Sequence, residues 1–352
     1  MAFTKAIRVT VPILSSLSGT SGSGKTFSGL LLAAGLAGPK GRVGMLDAEN
    51  KRGSLYADDP DIMRALPGGY ERDDIFAPYS PAAYTAKIVE AEKAGITVLV
   101  IDSTSHEFEG EGGCTDIAEK NALGKGDGKR DNWALAKREH KKFLYHCLSS
   151  PMHFVFCLRA REKVLMLKRG DAIPGTDQYA DRSMVIPIGI QPITEKNFVF
   201  EQLLSLSIDE KTHHATGIKV PKMLASIFPG GRMITKADGD AVRTWNEGGH
   251  VMDAIEQIQK RARITAEGGV SAYAEFYKSV PAAERKAALV DTGLHAELKA
   301  VAERADRDAA DDIPTYESFD TAPDPMEFTG VQIRVGEILY VPNEERSSWR
   351  AA

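Results

Sequence analysis

A chain of 352 residues with a net charge of −5 has material for one large domain or two medium ones, and it is not a histone-like binder coated in positive charge. Hydrophobic residues at 43% and charged residues at 26% are ordinary for a globular protein. No apolar run approaches the ~18 residues of a membrane span and the first residues lack a signal-peptide pattern, so a cytoplasmic protein with no membrane partner is expected.

The first predicted strand, "ILSSL", runs into Gly19-Thr20-Ser21-Gly22-Ser23-Gly24-Lys25-Thr26, which satisfies G-x-x-x-x-G-K-[ST] at every required position. Glycines permit positive φ and let backbone N–H groups approach a phosphate with no Cβ in the way. The helix that follows, ending at Gly38-Pro39, offers unpaired N–H groups and the positive end of its dipole to the same anion. ATP is therefore expected on residues 19–26 together with Phe27, with Lys25 reaching the β- and γ-phosphates and the Thr26 hydroxyl ligating Mg²⁺.

"RVGMLDAE" predicts a short buried strand with two acids at its end. A carboxylate there could orient and deprotonate the water attacking the γ-phosphate; Glu49 is the expected residue, Asp47 the competing choice, and Glu107 in "SHEFEG" the outside candidate. "SPAAYTAKIVEAEKAG" reads as a helix opened by Ser80 or Pro81 and closed by Gly95. "ITVLVID" is a continuous apolar strand buried on both faces, and Asp102 at its end is suited to holding Mg²⁺ through water. A helix, "NWALAKREHKKFLYHCLSS", and a strand, "HFVFCL", follow. Strands alternating with helices of this length predict an α/β fold with a mostly parallel twisted sheet covered on both faces.

Beyond residue 195 the β-type pieces shorten to "NFVFEQLLSLSID", "HHATGIKVPK" and "GRMIT", expected to extend the sheet with antiparallel strands. Asp238–Gly249 looks like a boundary, which assigns residues 1–246 to the core. Residues 247–305 predict a small helical region, and 306–352 an acidic, flexible tail with a short strand or hairpin near its end. Cys114, Cys147 and Cys157 are few and scattered, as reduced thiols are, and the histidines, including His140, His146 and His213-His214, form no convincing metal set.

"GTSGSGKT", "MLDAEN" and "VLVIDS", in that order and at those intervals, resemble the ATPase core of RecA-type recombinases, part of the AAA family ATPases in the broad sense. With "AGITVLVIDSTSHEFEGEGG", "HFVFCLRAREK" and "HHATGIKVPKM", the chain is more closely similar to short phage-encoded RecA-like ATPases of single-strand annealing and recombination, over roughly residues 10–245. The resemblance implies that Glu49 is the catalytic glutamate and Asp102 the magnesium aspartate. The third strand ends in "CLRAREK" where bacterial recombinases have an asparagine–glutamine pair, leaving Arg159 either a γ-phosphate sensor, a DNA contact or a structural ion pair.

Two loops leaving the expected ligand face carry basic residues suited to single-stranded DNA: Lys120, Lys125, Lys129 and Arg130 in the first, Arg161, Lys163, Lys168 and Arg169 in the second. Trp133 and Tyr179 could stack on bases. Lys219 and Lys222 match a region where RecA-like proteins direct basic residues at a neighbour's nucleotide, implying a homo-oligomer, filament or ring, and a single-strand-binding protein as a possible partner. The expected function is thus a Mg²⁺-dependent ATPase on single-stranded DNA. A DNA helicase or translocating motor uses the same core, and a small-molecule P-loop kinase is the rival from another class, needing an acceptor pocket and lid that the sequence does not reveal.

Overall fold

The computed structural model describes residues 5–123, 133–174, 176, 178–250, 253–311, 315–316, 333–335, 338–342 and 349–351. In chain order, β1 (Leu14–Gly19) leads to α1 (Lys25–Ala37), β2 (Val43–Asp47), α2 (Pro60–Ala65), β3 (Glu71–Asp74), α3 (Pro81–Ala94) and β4 (Val98–Asp102). Next come α4 (Ser105–Glu109), α5 (Cys114–Leu123), α6 (Ala134–Ser149), β5 (His153–Leu167) and β6 (Met184–Pro192). The core then closes with α7 (Phe198–Glu201), β7 (Leu204–Ile208), β8 (Ala215–Lys219) and α8 (Lys236–Glu247).

These strands form one sheet in the order β3–β2–β4–β5–β1–β7–β8, with β6 paired to β5. The pairs from β3 through β7 are parallel; β8 on β7 and β6 on β5 are antiparallel. Burial on both faces explains the unbroken apolar run of β4: successive side chains point to opposite faces. Val98 and Val100 join the cluster under α1 and α8, whereas Leu99 and Ile101 join Tyr84, Phe143 and Phe156 on the other side. Helices α1 and α8 cross with their backbones nearly touching, since a Cβ on Gly239 would stand 2.8 Å from the Gly35 Cα. The segment 238–249, boundary-like in sequence, is therefore mostly core helix, opened by a Thr235–Asp238 capping box.

Two further segments depart from the sequence expectation. Strand β7 is parallel to β1, because residues 193–203 carry the chain back across the sheet: the Ile193 N–H donates to the Arg159 carbonyl (2.8 Å) and the Leu203 N–H to the Leu14 carbonyl (2.9 Å). Strand β5 does not stop at Leu158; it continues to Leu167 and pairs with β6 as a two-stranded ribbon. "GRMIT" contributes a single bridge, Ala215 to Arg232.

Past the core lie α9 (Ala254–Ala266), α10 (Val270–Ser279), α11 (Ala282–Arg285) and α12 (Leu294–Asp311), with α9 against α6. They enclose their own cluster around Tyr273, Phe276, Leu289 and Leu298. Strands β9 (Thr315–Tyr316), β10 (Ile333–Val335), β11 (Ile338–Pro342) and β12 (Trp349–Ala351) make a second sheet, in which β10 and β11 are antiparallel.

Candidate active site

The parallel registers bring three strand ends and the middle of β5 to one level. Asp47 lies beside Asp102, Asp102 beside Cys157, and Gly19 beside Arg159, so the C-terminal ends of β2, β4 and β1 meet the middle of β5 at one crevice.

Between β1 and α1 the backbone is left-handed at Gly22 (φ 82°) and Gly24 (φ 87°), where a side chain would be strained. Among the described residues no side chain caps α1 at Gly24, which leaves the first helical N–H groups for an anion. Lys25 is buried and its ammonium donates to the Thr20 carbonyl at 2.7 Å. Ser23 Oγ is buried with no hydrogen-bond partner among the described residues. A buried ammonium, an orphaned hydroxyl and a glycine backbone fit a bound phosphate group. The turn after β7 clasps this loop from the far side: the Thr20 hydroxyl donates to Glu210 (2.8 Å), and His213 Nδ1 lies 2.9 Å from the Ser23 carbonyl oxygen. Sequence reasoning weighs His213 only as a metal ligand and misses both contacts.

Thr26 donates its hydroxyl hydrogen to Asp102, which is buried at the end of β4. Burial pushes the Asp102 carboxyl up to about 6; the Thr26 hydrogen bond opposes this and the nearby Glu49 charge adds to it. A hydroxyl and a carboxylate in contact at a strand end are hard oxygen donors that fit Mg²⁺ with water completing its shell. Tyr56, unremarked in the sequence, borders the pair. Its ring is tilted against Phe27 at 6.3 Å, and burial raises its phenol, with the Thr26 hydrogen bond opposing and the Asp102 charge adding.

Asp47 and Glu49 have different partners. Asp47 is buried and accepts the N–H of Glu49 and of Gly53, each at 2.7 Å, with the Arg72 guanidinium 3.8 Å away. It therefore fixes the turn that carries Glu49. The Glu49 carboxylate instead faces the crevice, where it accepts from Arg159 Nε at 2.8 Å and lies 3.5 Å from Arg52. Arg159 is anchored through its backbone: its N–H donates to Ser105 Oγ (2.9 Å), and that hydroxyl donates to the Ile193 carbonyl (2.7 Å). Glu107 is elsewhere, buried against His140 and Cys114. A cavity of about 390 Å³ at the opposite strand ends, lined by residues such as Val11, His153 and Arg261, contains none of these groups.

The basic residues scatter more widely. Arg161 and Lys163 are exposed on the β5–β6 ribbon and Lys168 and Arg169 just beyond β5, with Arg161 3.3 Å from Glu109. Lys125, Lys129 and Arg130 lie outside the described residues, and Lys120 is exposed on α5. Trp133 stacks on Phe108 in a small cluster under α5, whereas Tyr179 is exposed. The Lys219 ammonium donates to the carbonyls of Phe200 and Gln202 in its own chain; Lys222 is exposed.

One strand, β5, separates the phosphate-loop strand β1 from β4, which ends in Asp102, and both faces carry helices. The core has an α/β architecture, a mostly parallel sheet covered by helices on both faces. No protein-family model matches the sequence, and no curated protein is significantly similar to it. Among solved structures, the KaiC-like protein PH0186 from the hyperthermophilic archaeon Pyrococcus horikoshii OT3 matches at a TM-score of 0.28 and 12% identity, over 62% of this chain and 89% of that one. No helix of the described residues is long and apolar enough to cross a membrane.

Proposed function

We propose that this chain is a Mg²⁺-dependent ATPase of RecA-like type that acts on single-stranded DNA in phage recombination, annealing or repair. The observation that carries this is the convergence of Lys25, Thr26, Asp102, Glu49 and Arg159 on one crevice. Residues 19–27 bind the triphosphate, Lys25 exchanging the Thr20 carbonyl for phosphate oxygen. Thr26 and Asp102 hold Mg²⁺, which when bound offsets phosphate charge. Glu49 accepts a proton from the attacking water.

The Arg159 guanidinium occupies the Glu49 carboxylate at 2.8 Å, so that oxygen is free to meet the attacking water only when Arg159 moves away. Arg159 begins the outer stretch of β5 that bears Arg161 and Lys163 and leads to Lys168 and Arg169, the side chains suited to a DNA backbone. A strand engaging the ribbon is thereby coupled to the base, and hydrolysis becomes DNA-stimulated. Strand β8 edges the sheet, and Lys222 beside it suits the nucleotide of a neighbouring copy in a filament or ring; Lys219 would first have to leave its own carbonyls.

Turnover of ATP titrated with single-stranded and with duplex DNA, each at two salt concentrations, tests this. Single strands are expected to stimulate more strongly, and less so at high salt. Turnover indifferent to single-stranded DNA would remove DNA from the function while leaving the ATPase.

A further inference from the structure

Five residues beyond Asp102 the chain buries a second group of reactive side chains that the ATPase chemistry does not use. Glu107 on α4, Cys114 at the start of α5 and His140 on α6 are all buried, and their donor atoms lie within 4.8 Å of one another. His140 Nδ1 is 3.0 and 3.1 Å from the two Glu107 oxygens, so the carboxylate meets the ring with both. The Cys114 thiol donates to the same carboxylate at 3.3 Å. His140 Nε2 is buried with no hydrogen-bond partner among the described residues. The three elements otherwise meet around a small apolar cluster of Cys114, Ile117, Ala118, Leu135 and Ala136.

We infer that Glu107, Cys114 and His140 form a binding site for a thiophilic divalent cation of the zinc class, a staple joining α4, α5 and α6 beneath the end of β4. The donor chemistry is that of a zinc site: one thiolate, one imidazole nitrogen, and a carboxylate whose two oxygens both face the centre, which together supply four donor atoms. Charge also balances. In the metal-free form two hydrogens, on Cys114 Sγ and His140 Nδ1, point at one carboxylate. On loading, the S–H and Nδ1–H bonds give way to metal–sulfur and metal–nitrogen bonds, and the protons leave to solvent. The +2 ion is then offset by thiolate and carboxylate, leaving a neutral buried centre. The His140 ring, an imidazolium facing the Glu107 carboxylate in the metal-free form, gives up only its Nδ1 hydrogen and remains a neutral imidazole with its other hydrogen on Nε2. Magnesium, which prefers oxygen donors, belongs instead to Thr26 and Asp102.

The test uses the full chain, stripped with a chelator and titrated with Co²⁺ and Zn²⁺. Co²⁺ should give a near-ultraviolet thiolate-to-cobalt band that saturates at about one equivalent per chain and is abolished by excess Zn²⁺. The band should vanish in Cys114→Ser, and Zn²⁺ should raise the melting temperature of the wild type but not of that variant. X-ray absorption on the zinc-loaded wild type, which needs no variant to fold, should read one sulfur among nitrogen and oxygen donors. A folded wild type with no thiolate band, a band that persists in Cys114→Ser, or a zinc shell without sulfur would each overturn the assignment. None of these readouts depends on ATP turnover.

Discussion

The inner half of β5, His153–Leu158, and its outer half, Arg159–Leu167, are one continuous strand in two solvents. Inside the parallel sheet Phe154, Val155, Phe156, Cys157 and Leu158 are all fully buried, Val155 and Cys157 under α1 and the other three on the α6 face. Outside it, Val164 and Met166 face water beside Val185 of β6, and the basic Arg161 and Lys163 are exposed. The inner half is fixed by close packing on two sides; beyond Arg159 the outer half is held, among the described residues, by its ladder with β6. Arg159 stands at the changeover with its side chain on Glu49. A site at such a junction takes its precision from the packed half and its responsiveness from the open one.

Replacement of groups in the packed half and its crevice should have the largest effects. Lys25→Ala should abolish ATP binding and turnover, read with a fluorescent ATP analogue and a phosphate-release assay; retained binding would detach the glycine loop from the nucleotide. Phe156→Ala should destabilise the fold by about 3–5 kcal/mol in denaturant unfolding, since it empties a ring site packed against Phe154 and Phe198. On the open half, converting Lys163, Lys168 and Arg169 to Gln should weaken single-stranded DNA binding and flatten its salt dependence by about 0.7 in log–log slope for each phosphate no longer neutralised. An unchanged slope would show that the ribbon does not touch phosphate. Asp102, held near 6, must lose its proton to bind Mg²⁺, so the Mg²⁺ concentration for half-maximal turnover should climb as pH falls below about 6. Without divalent ions the sign for stability is the reverse: the folded state retains this proton longer than the unfolded chain. Stability should therefore fall as pH rises from the ordinary carboxylate range through about 6. The smallest effect belongs to Met166→Ala, within about 0.5 kcal/mol, because that side chain is already exposed.

Sequence legibility follows the same division. The glycine loop is readable because its ligating groups are consecutive and each has a local reason for its residue type. Asp102 and Glu49 are readable because each closes or follows an apolar strand. The outer half of β5 is not, because Arg159, Arg161 and Lys163 recur at alternate positions and read as a charged loop when no second layer buries the other face. The direction of β7 is hidden because it depends on Leu203 meeting Leu14, across most of the core sequence. Asp238–Gly249 resembles a boundary through its glycine and acids, yet Gly239 is there to let α8 approach α1, and Asp238 pairs with Arg232 and caps its helix. Nor does spacing reveal that Glu107 meets His140, since three separate helices bring the cluster together.

The relation between Glu49 and Arg159 is best tested by one comparison: steady-state ATP turnover of the wild type and Glu49→Gln at saturating Mg²⁺ and single-stranded DNA, with ATP-analogue affinity measured in parallel. Loss of the base should cut turnover by about 10²–10⁴-fold while affinity is retained. Equal turnover in the two proteins would take Glu49 out of the chemistry and leave the ion pair at 2.8 Å a purely structural feature.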